Sequence, residues 1–278
     1  MILAEQMPQP VALNENFEVF APRVAAASQI ALFLDFDGTL ANIVPVPQEA
    51  QMERGVRTTL ESLAARNDFT LAIVSGRAVA DVRKRVGLSK VIYVGNHGLE
   101  IESEEIRFRE PDAEAFRREL RCLALQLKLA LSDTDGLEIE DKGLTLSVHF
   151  RRVTEHLQDW VRNVTCSTVA RYRSFSCREG KMVLEVSPRV NWHKGKAVKW
   201  IARQILPTSS LVIYIGDDVT DEDAFGVISE GITIRVGGFS DTAAQYSLPD
   251  VSSVGLFLKW LDHTKQHAPR ANSQRAGE

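Results

Sequence analysis

Short apolar runs that end abruptly in charged or hydroxyl-bearing residues constrain this chain more than any other feature. Residues 30–34, 69–74, 91–94 and 211–215 are dominated by Ile, Leu, Val and Phe, the pattern of strands covered on both faces. Between them apolar side chains recur at helical spacing: Val56, Leu60 and Leu63, then Val79, Val82 and Val86, then Val198, Ile201 and Ile205 before Pro207. Each set lies on one helical face. The alternation predicts an α/β fold whose core is a Rossmann-like open parallel sheet with helices on both faces, with ligands beyond the carboxyl ends of the strands.

The middle of the chain has a different pattern. After Pro111, with Asp112 as N-cap, Phe116, Leu120, Leu123, Leu127 and Leu131 predict one long amphipathic helix. Strand-like pieces follow at 137–140 and 144–150, the second alternating Leu144, Leu146, Val148 and Phe150 with more polar neighbours. Thr154 stands where a cap would open a helix through Leu157, Val161 and Val164, and strands at 172–177 and 182–186 flank Gly180. A helix-strand-strand order repeated once predicts an antiparallel sheet with helices on one face. The expected division is therefore a core of residues 26–111 and 189–262, an inserted α+β cap domain at 112–188, a poorly packed segment at 1–25 and a flexible polar tail at 263–278.

Composition narrows the partners. The 278 residues carry 33 Lys plus Arg against 37 Asp plus Glu, a net charge of −4, which argues against a nucleic-acid partner. No apolar run approaches the ~20 residues of a membrane span, and residues 1–10 lack the basic-then-apolar order of a signal peptide. A cytoplasmic protein without membrane contact is expected, and no obligatory protein partner is evident. Cys122, Cys166 and Cys177 form no CxxC pair and are odd in number, so free thiols are expected.

The strand ends carry the chemistry. Residues 30–34 run into Asp35-Phe36-Asp37-Gly38-Thr39-Leu40. In extended chain Asp35 and Asp37 point the same way and repel unless a positive group intervenes, and a hard cation such as Mg²⁺ prefers such oxygen ligands. Read alone, Asp37-Gly38 is also ordinary turn chemistry. The second strand ends in Ser75-Gly76-Arg77, a hydroxyl and an unhindered N–H before a helix N-terminus, which suits an anion. Lys194, in Trp192-His193-Lys194-Gly195-Lys196-Ala197, precedes a core helix, with Lys196 as the competing ammonium. The last strand ends in Gly216-Asp217-Asp218-Val219-Thr220-Asp221-Glu222-Asp223. An acidic first helical turn accounts for residues 221–223 but not for Asp217 and Asp218, which crowd the rim opposite Asp35 and Asp37.

These four elements, in this order, resemble the haloacid-dehalogenase-type phosphohydrolases, and the insert between the serine and lysine motifs resembles the branch with an α/β cap. Further stretches are similar to trehalose-phosphate phosphatases: Gly95-Asn96-His97-Gly98-Leu99-Glu100, Val148-His149-Phe150-Arg151, residues 180–188 and residues 216–222. The similarity spans about residues 30–225. One departure is Ser187, where such proteins frequently have Arg, so the resemblance speaks more to the chemistry than to the sugar.

The resemblance implies Asp35 as nucleophile and Asp37 as general acid and base, with Ser75 and Lys194 holding phosphoryl oxygens. It implies Mg²⁺ held by the Asp35 side chain, the Asp37 carbonyl and Asp217, with Asp218 and Asp221 orienting Lys194 and metal-bound water. Gly38, Thr39, Gly76 and Arg77 would line the phosphate. In the cap, Lys181 and Glu185 match positions that contact sugar hydroxyls, and their spacing of four along a strand would put both on one face. His97 and Arg151 would be rim contacts. The implied reaction is Mg²⁺-dependent hydrolysis of trehalose 6-phosphate. The alternatives are another glycosyl phosphate, such as a sucrose, glucosylglycerol or mannosylglycerate phosphate, and a catalytically silent domain that binds a sugar phosphate.

Overall fold

The computed structural model describes residues 9–13, 16–238 and 241–267. The large sheet contains β1 (Val11–Ala12), β2 (Ile30–Asp35), β3 (Phe69–Val74), β4 (Val91–Gly95), β5 (Glu100–Glu102), β6 (Arg107–Arg109), β11 (Leu211–Gly216), β12 (Ile232–Val236) and β13 (Tyr246–Leu248). Their spatial order is β1-β13-β12-β11-β2-β3-β4-β5-β6. Every pairing from β1 to β4 is parallel, whereas β4-β5 and β5-β6 are antiparallel. The sheet is therefore mixed, with an antiparallel hairpin extending one edge of the expected parallel core.

Continuous apolar runs arise because the central strands are buried on both faces. Ile30, Leu32 and Leu34 of β2 join one cluster with helices α2 (Arg54–Ala64), α3 (Val79–Val86) and α9 (Val251–His267). Ala31 and Phe33 join another with α7 (Lys194–Ile205) and α8 (Glu222–Phe225). Phe33 and the buried Tyr214 stack there with ring centroids 6.4 Å apart. Truncating a fully buried Phe of this kind costs about 3–5 kcal/mol.

The expected loose ends are corrected by packing. Phe17, Phe20 and Val24, at and within α1 (Ala21–Ala26), are buried against α9, and the Trp260 indole donates to Glu18. Phe17 meets Phe257 edge-on at 5.4 Å. A few large aromatic rings dock a segment too short to show a period. At the other end α9 continues to His267, with Lys265 donating to the Ala27 carbonyl. The remaining expectations for residues 1–8, 14–15 and 268–278 lie outside the described residues.

The second sheet is antiparallel, in the order β7 (Glu138–Asp141), β8 (Leu146–His149), β10 (Val183–Pro188), β9 (Phe175–Gly180). Leu146, Val148, Leu184 and Val186 point to one face and pack on α5 (Arg117–Ala130) and α6 (Glu155–Val169). The alternation then sends Glu140, Ser147, Glu185 and Arg178, which sit side by side across the four strands, to the face without helices. The long helix expected from residue 112 is split into α4 (Pro111–Ala115) and α5, with Phe116 between them. Its cap is Glu110, not Asp112: the Glu110 carboxylate accepts from the Ala113 N–H, while Pro111 occupies the first helical position. Thr154 precedes α6 but makes no side-chain cap.

Candidate active site

The carboxyl ends of β2, β3 and β11 converge on one rim. Lys194, the first residue of α7, is only 2% exposed. Its Nζ donates to Asp35 Oδ1 and to Asp221 Oδ1, each at 2.7 Å. Burial opposes the ammonium charge, but Asp221 and Asp35 override it and hold Lys194 above its ordinary range. Lys196, by contrast, is half-buried away from these carboxylates and donates to the Asn191 carbonyl. Tyr214 Oη, which no sequence motif marks, donates to Asp221 Oδ1 at 2.7 Å.

The Asp35 and Asp37 carboxylates pair with different basic side chains. Asp35 faces Lys194, while Asp37 is gripped by Arg77, whose Nε and Nη2 donate to Oδ2 and Oδ1 at 2.6 and 2.7 Å. Phe36 turns into the core between them. Arg77 also donates to Asp81 and to the Pro47 carbonyl, so the expected anion contact is here an ion-paired strut. Ser75 is buried beside it, and its Oγ accepts from the Arg77 N–H at 3.1 Å.

Asp35, Asp217 and Asp221 bring carboxylate oxygens within 4.8 Å of one another. Asp217 Oδ1 is buried and has no hydrogen-bond partner among the described residues. Burial first, and then Asp221, push the Asp217 carboxyl up to about 7. Burial also raises Asp35, against the pull of Lys194. An orphaned oxygen in a crowded, oxygen-only donor set fits a hard divalent cation. Gly38 closes this corner at φ +88°, and a Cβ there would lie 2.1 Å from Asp217 Oδ2. The hydroxyl of the neighbouring Thr39 is buried and also lacks a partner among the described residues.

Asp218 has a structural role at this rim. It caps the tight turn after β11, in a reciprocal box with Asp221: each side chain accepts from the other's backbone N–H. Burial raises its carboxyl, but Lys194, the Val219 N–H and the Thr220 hydroxyl prevail and hold it below its usual range. Glu222 pairs with Arg235.

The second sheet meets this rim through Glu185 and through Lys142, Ser147 and Thr145, which the motifs did not single out. Lys142, in the β7–β8 hairpin, donates to the Gly76 carbonyl at 3.2 Å and to Glu185 Oε2 at 3.4 Å. Ser147 donates to both Glu185 oxygens. Asn96 is buried and donates to Glu100 and to the Lys142 carbonyl, while Thr145 donates to its Oδ1 at 2.6 Å. His97 lies over Gly76, where an added Cβ would come within 2.4 Å of its ring. Burial drives His97 down to about 4, which keeps it neutral near pH 7.

Lys181 departs from expectation. It sits in the β9–β10 turn, where Met182 has φ 65°, so the strand alternation that paired it with Glu185 does not reach it. Arg151 is at the same turn and donates to the Lys181 carbonyl at 2.9 Å. Both are exposed, and Glu185 meets Lys142 instead.

Comparison with known proteins gives the family. The trehalose-phosphatase family model matches residues 33–252. A probable trehalose-phosphate phosphatase H of Arabidopsis thaliana is 36% identical over 276 residues, covering 92% of this chain and 78% of that protein. A trehalose-phosphate phosphatase of Mycobacterium tuberculosis is 35% identical over 254 residues, covering 87% and 64%. Among solved structures, the C-terminal domain of Candida albicans trehalose-6-phosphate phosphatase superimposes with TM-score 0.76 at 22% identity, covering 92% of this chain and 99% of that one, a likeness of fold. With the family model covering most of the chain and every strand-end motif, the chain belongs to the trehalose-phosphatase family.

Proposed function

We propose that the chain hydrolyses trehalose 6-phosphate to trehalose and phosphate in two steps, through an aspartyl-phosphate on Asp35. The observation that carries this reading is the buried Lys194 bridge between Asp35 and Asp221, which leaves one Asp35 oxygen to attack and places a fixed positive charge beside it. The carboxylate forms a bond to phosphorus as the bond to the sugar oxygen breaks. Asp37 protonates the departing oxygen and then takes a proton from the water that cleaves the acyl phosphate. Lys194, the Ser75 hydroxyl and the Gly76 N–H hold the remaining phosphoryl oxygens. A divalent cation such as Mg²⁺, held by Asp35, Asp217 and the Asp37 carbonyl, supplies neutralisation of the transferring charge.

Sugar selection belongs to the cap, residues 112–188, whose helix-free face presents Glu185 and Lys142 toward the Ser75-Gly76 turn. His97 lines the same rim, and Lys181 and Arg151 are outer contacts. A silent binding domain would have no use for a nucleophile, an acid and a lysine kept together at such electrostatic cost. No described helix is long and apolar enough to cross a membrane. The test is phosphate release from a panel of glycosyl phosphates with Mg²⁺ and with chelator. Preference for trehalose 6-phosphate, abolished by chelator, is expected; preference for another glycosyl phosphate would overturn the substrate assignment, and release from none of them would overturn the catalytic one.

A further inference from the structure

We propose that Cys166 and Cys177 form a reversible disulfide site that staples α6 to the edge strand of the cap sheet. The two Sγ atoms are 3.4 Å apart, although the residues are eleven positions apart and belong to different elements. Register explains the meeting. Cys177 pairs with Val186, whose side chain faces the helices, so Cys177 points to the same side, toward α6. One helical turn earlier on α6, Arg162 reaches the same strand at Glu179, 2.7 Å away, which fixes the helix over β9. A disulfide bond of about 2.05 Å requires the sulfurs to approach by little more than 1 Å.

The two thiols differ in access. Cys166 is exposed and Cys177 is half-buried. Burial, with Cys166 adding to it, pushes the Cys177 thiol up to about 12. Cys166 therefore meets the oxidant first. With a low-molecular-weight disulfide such as oxidised glutathione, the Cys166 thiolate attacks one sulfur and expels the first glutathione thiol. Cys177, losing its proton, then attacks Cys166 Sγ, forms the intrachain bond and expels the second. The balance is two protein thiols and one disulfide giving one protein disulfide and two small thiols. Cys122, exposed on α5, has no such partner among the described residues, so glutathione attached there would not be displaced by a second protein thiol. The bond closes a short loop and restricts the unfolded cap.

The test is independent of the catalytic reading. The whole protein is equilibrated with oxidised glutathione, free thiols are counted, and peptides are mapped by mass. Expected are a 166–177 cross-link lighter by two hydrogens than the two thiol peptides, no glutathione on either residue, reversal by dithiothreitol, and a melting temperature higher by about 5 °C. Cys122→Ser should form the same 166–177 cross-link and leave no free thiol, and Cys177→Ser should form no intrachain bond while folding normally in the reduced state. Three persistent thiols, glutathione retained on Cys166 as a mixed disulfide, cross-links through Cys122, or an unchanged melting temperature would each overturn the proposal.

Discussion

Arg77 holds both carboxylate oxygens of Asp37, at 2.6 and 2.7 Å, while Lys194 holds Asp35. Two carboxylates that leave one strand end side by side are thus separated by two different cations. The bidentate pair is made by ionised Asp37, so the side chain must part from the guanidinium before it can give a proton to a leaving group. Lysine cannot reproduce a fork that also reaches Asp81 and the Pro47 carbonyl. Arg77→Lys should lower kcat for trehalose 6-phosphate by roughly tenfold to a hundredfold, and much less for 4-nitrophenyl phosphate, whose leaving group needs no proton. Equal losses on both substrates would detach Arg77 from the acid step.

Asp35→Asn keeps the side-chain shape and removes the attacking charge. Phosphate release should fall by several orders of magnitude with the far-ultraviolet circular dichroism unchanged. Retention of more than about a hundredth of the activity would remove Asp35 from the nucleophile's role.

Lys194→Met addresses the buried pair directly. It leaves Asp35 and Asp221 facing each other without a cation, both almost fully buried. Breaking one side of such a pair costs about 3–5 kcal/mol. Denaturant unfolding in chelator should show that loss near neutral pH and a partial recovery in acid, where one carboxylate takes up a proton. A pH-independent loss would mean that packing, not charge, is what Lys194 supplies.

The legible parts of this molecule are those in which one physical cause acts alone. The strands of residues 30–34 and 211–215 read correctly because burial on both faces leaves only apolar side chains. The rim motifs could be singled out because carboxylates crowded at strand ends have few structural explanations, and Asp35, Asp217 and Asp221 do meet there. Lys142 was illegible: it is an ordinary polar residue in a turn, and its importance comes from the approach of the second sheet to Gly76, which no local pattern encodes. Asn96 lay in a marked stretch, but its hydrogen bonds to the second sheet were not readable there. Lys181 was misread because a spacing of four implies one face only while the chain stays extended, and the backbone at Met182 turns first. Short β12 and β13 and the docked Phe17 and Phe20 depend on neighbours remote in sequence.

The Asp217 carboxyl, pushed up to about 7, makes cation binding a competition with a proton. Its folded-state value lies above that of the unfolded chain, so the protonated form belongs to the native state. In chelator this contribution to stability is present in acid and is lost as the pH rises from about 4 through about 7. A bound cation reverses the preference. The melting temperature in chelator should therefore fall between about pH 5 and about pH 7.5, and the stabilisation by Mg²⁺ should grow over the same interval. The Mg²⁺ concentration for half-maximal activity should rise as pH drops below 7. A Mg²⁺ effect on melting that is flat across this range would place the cation away from Asp217.

The cap offers the sharpest separation between sugar reading and chemistry. Glu185 is held over the Ser75-Gly76 turn by Ser147 and Lys142, on the face of the sheet that the helices leave open. Lys181 lies in an exposed turn. If contacts to the remote sugar help to assemble the site, their binding energy is expressed in kcat/KM for the natural substrate and is absent for a small aryl phosphate. Closure would then pivot near Glu110-Pro111 and Pro188-Arg189, where the chain passes between the two sheets. Glu185→Ala and Lys142→Ala should each lower the ratio of kcat/KM for trehalose 6-phosphate over 4-nitrophenyl phosphate by roughly a hundredfold, as expected when a buried polar contact loses its partner. Lys181→Ala should shift it less than about threefold, in line with an exposed contact. A large effect at Lys181 with none at Glu185 would mean that the cap reads the sugar from its turn rather than from its sheet.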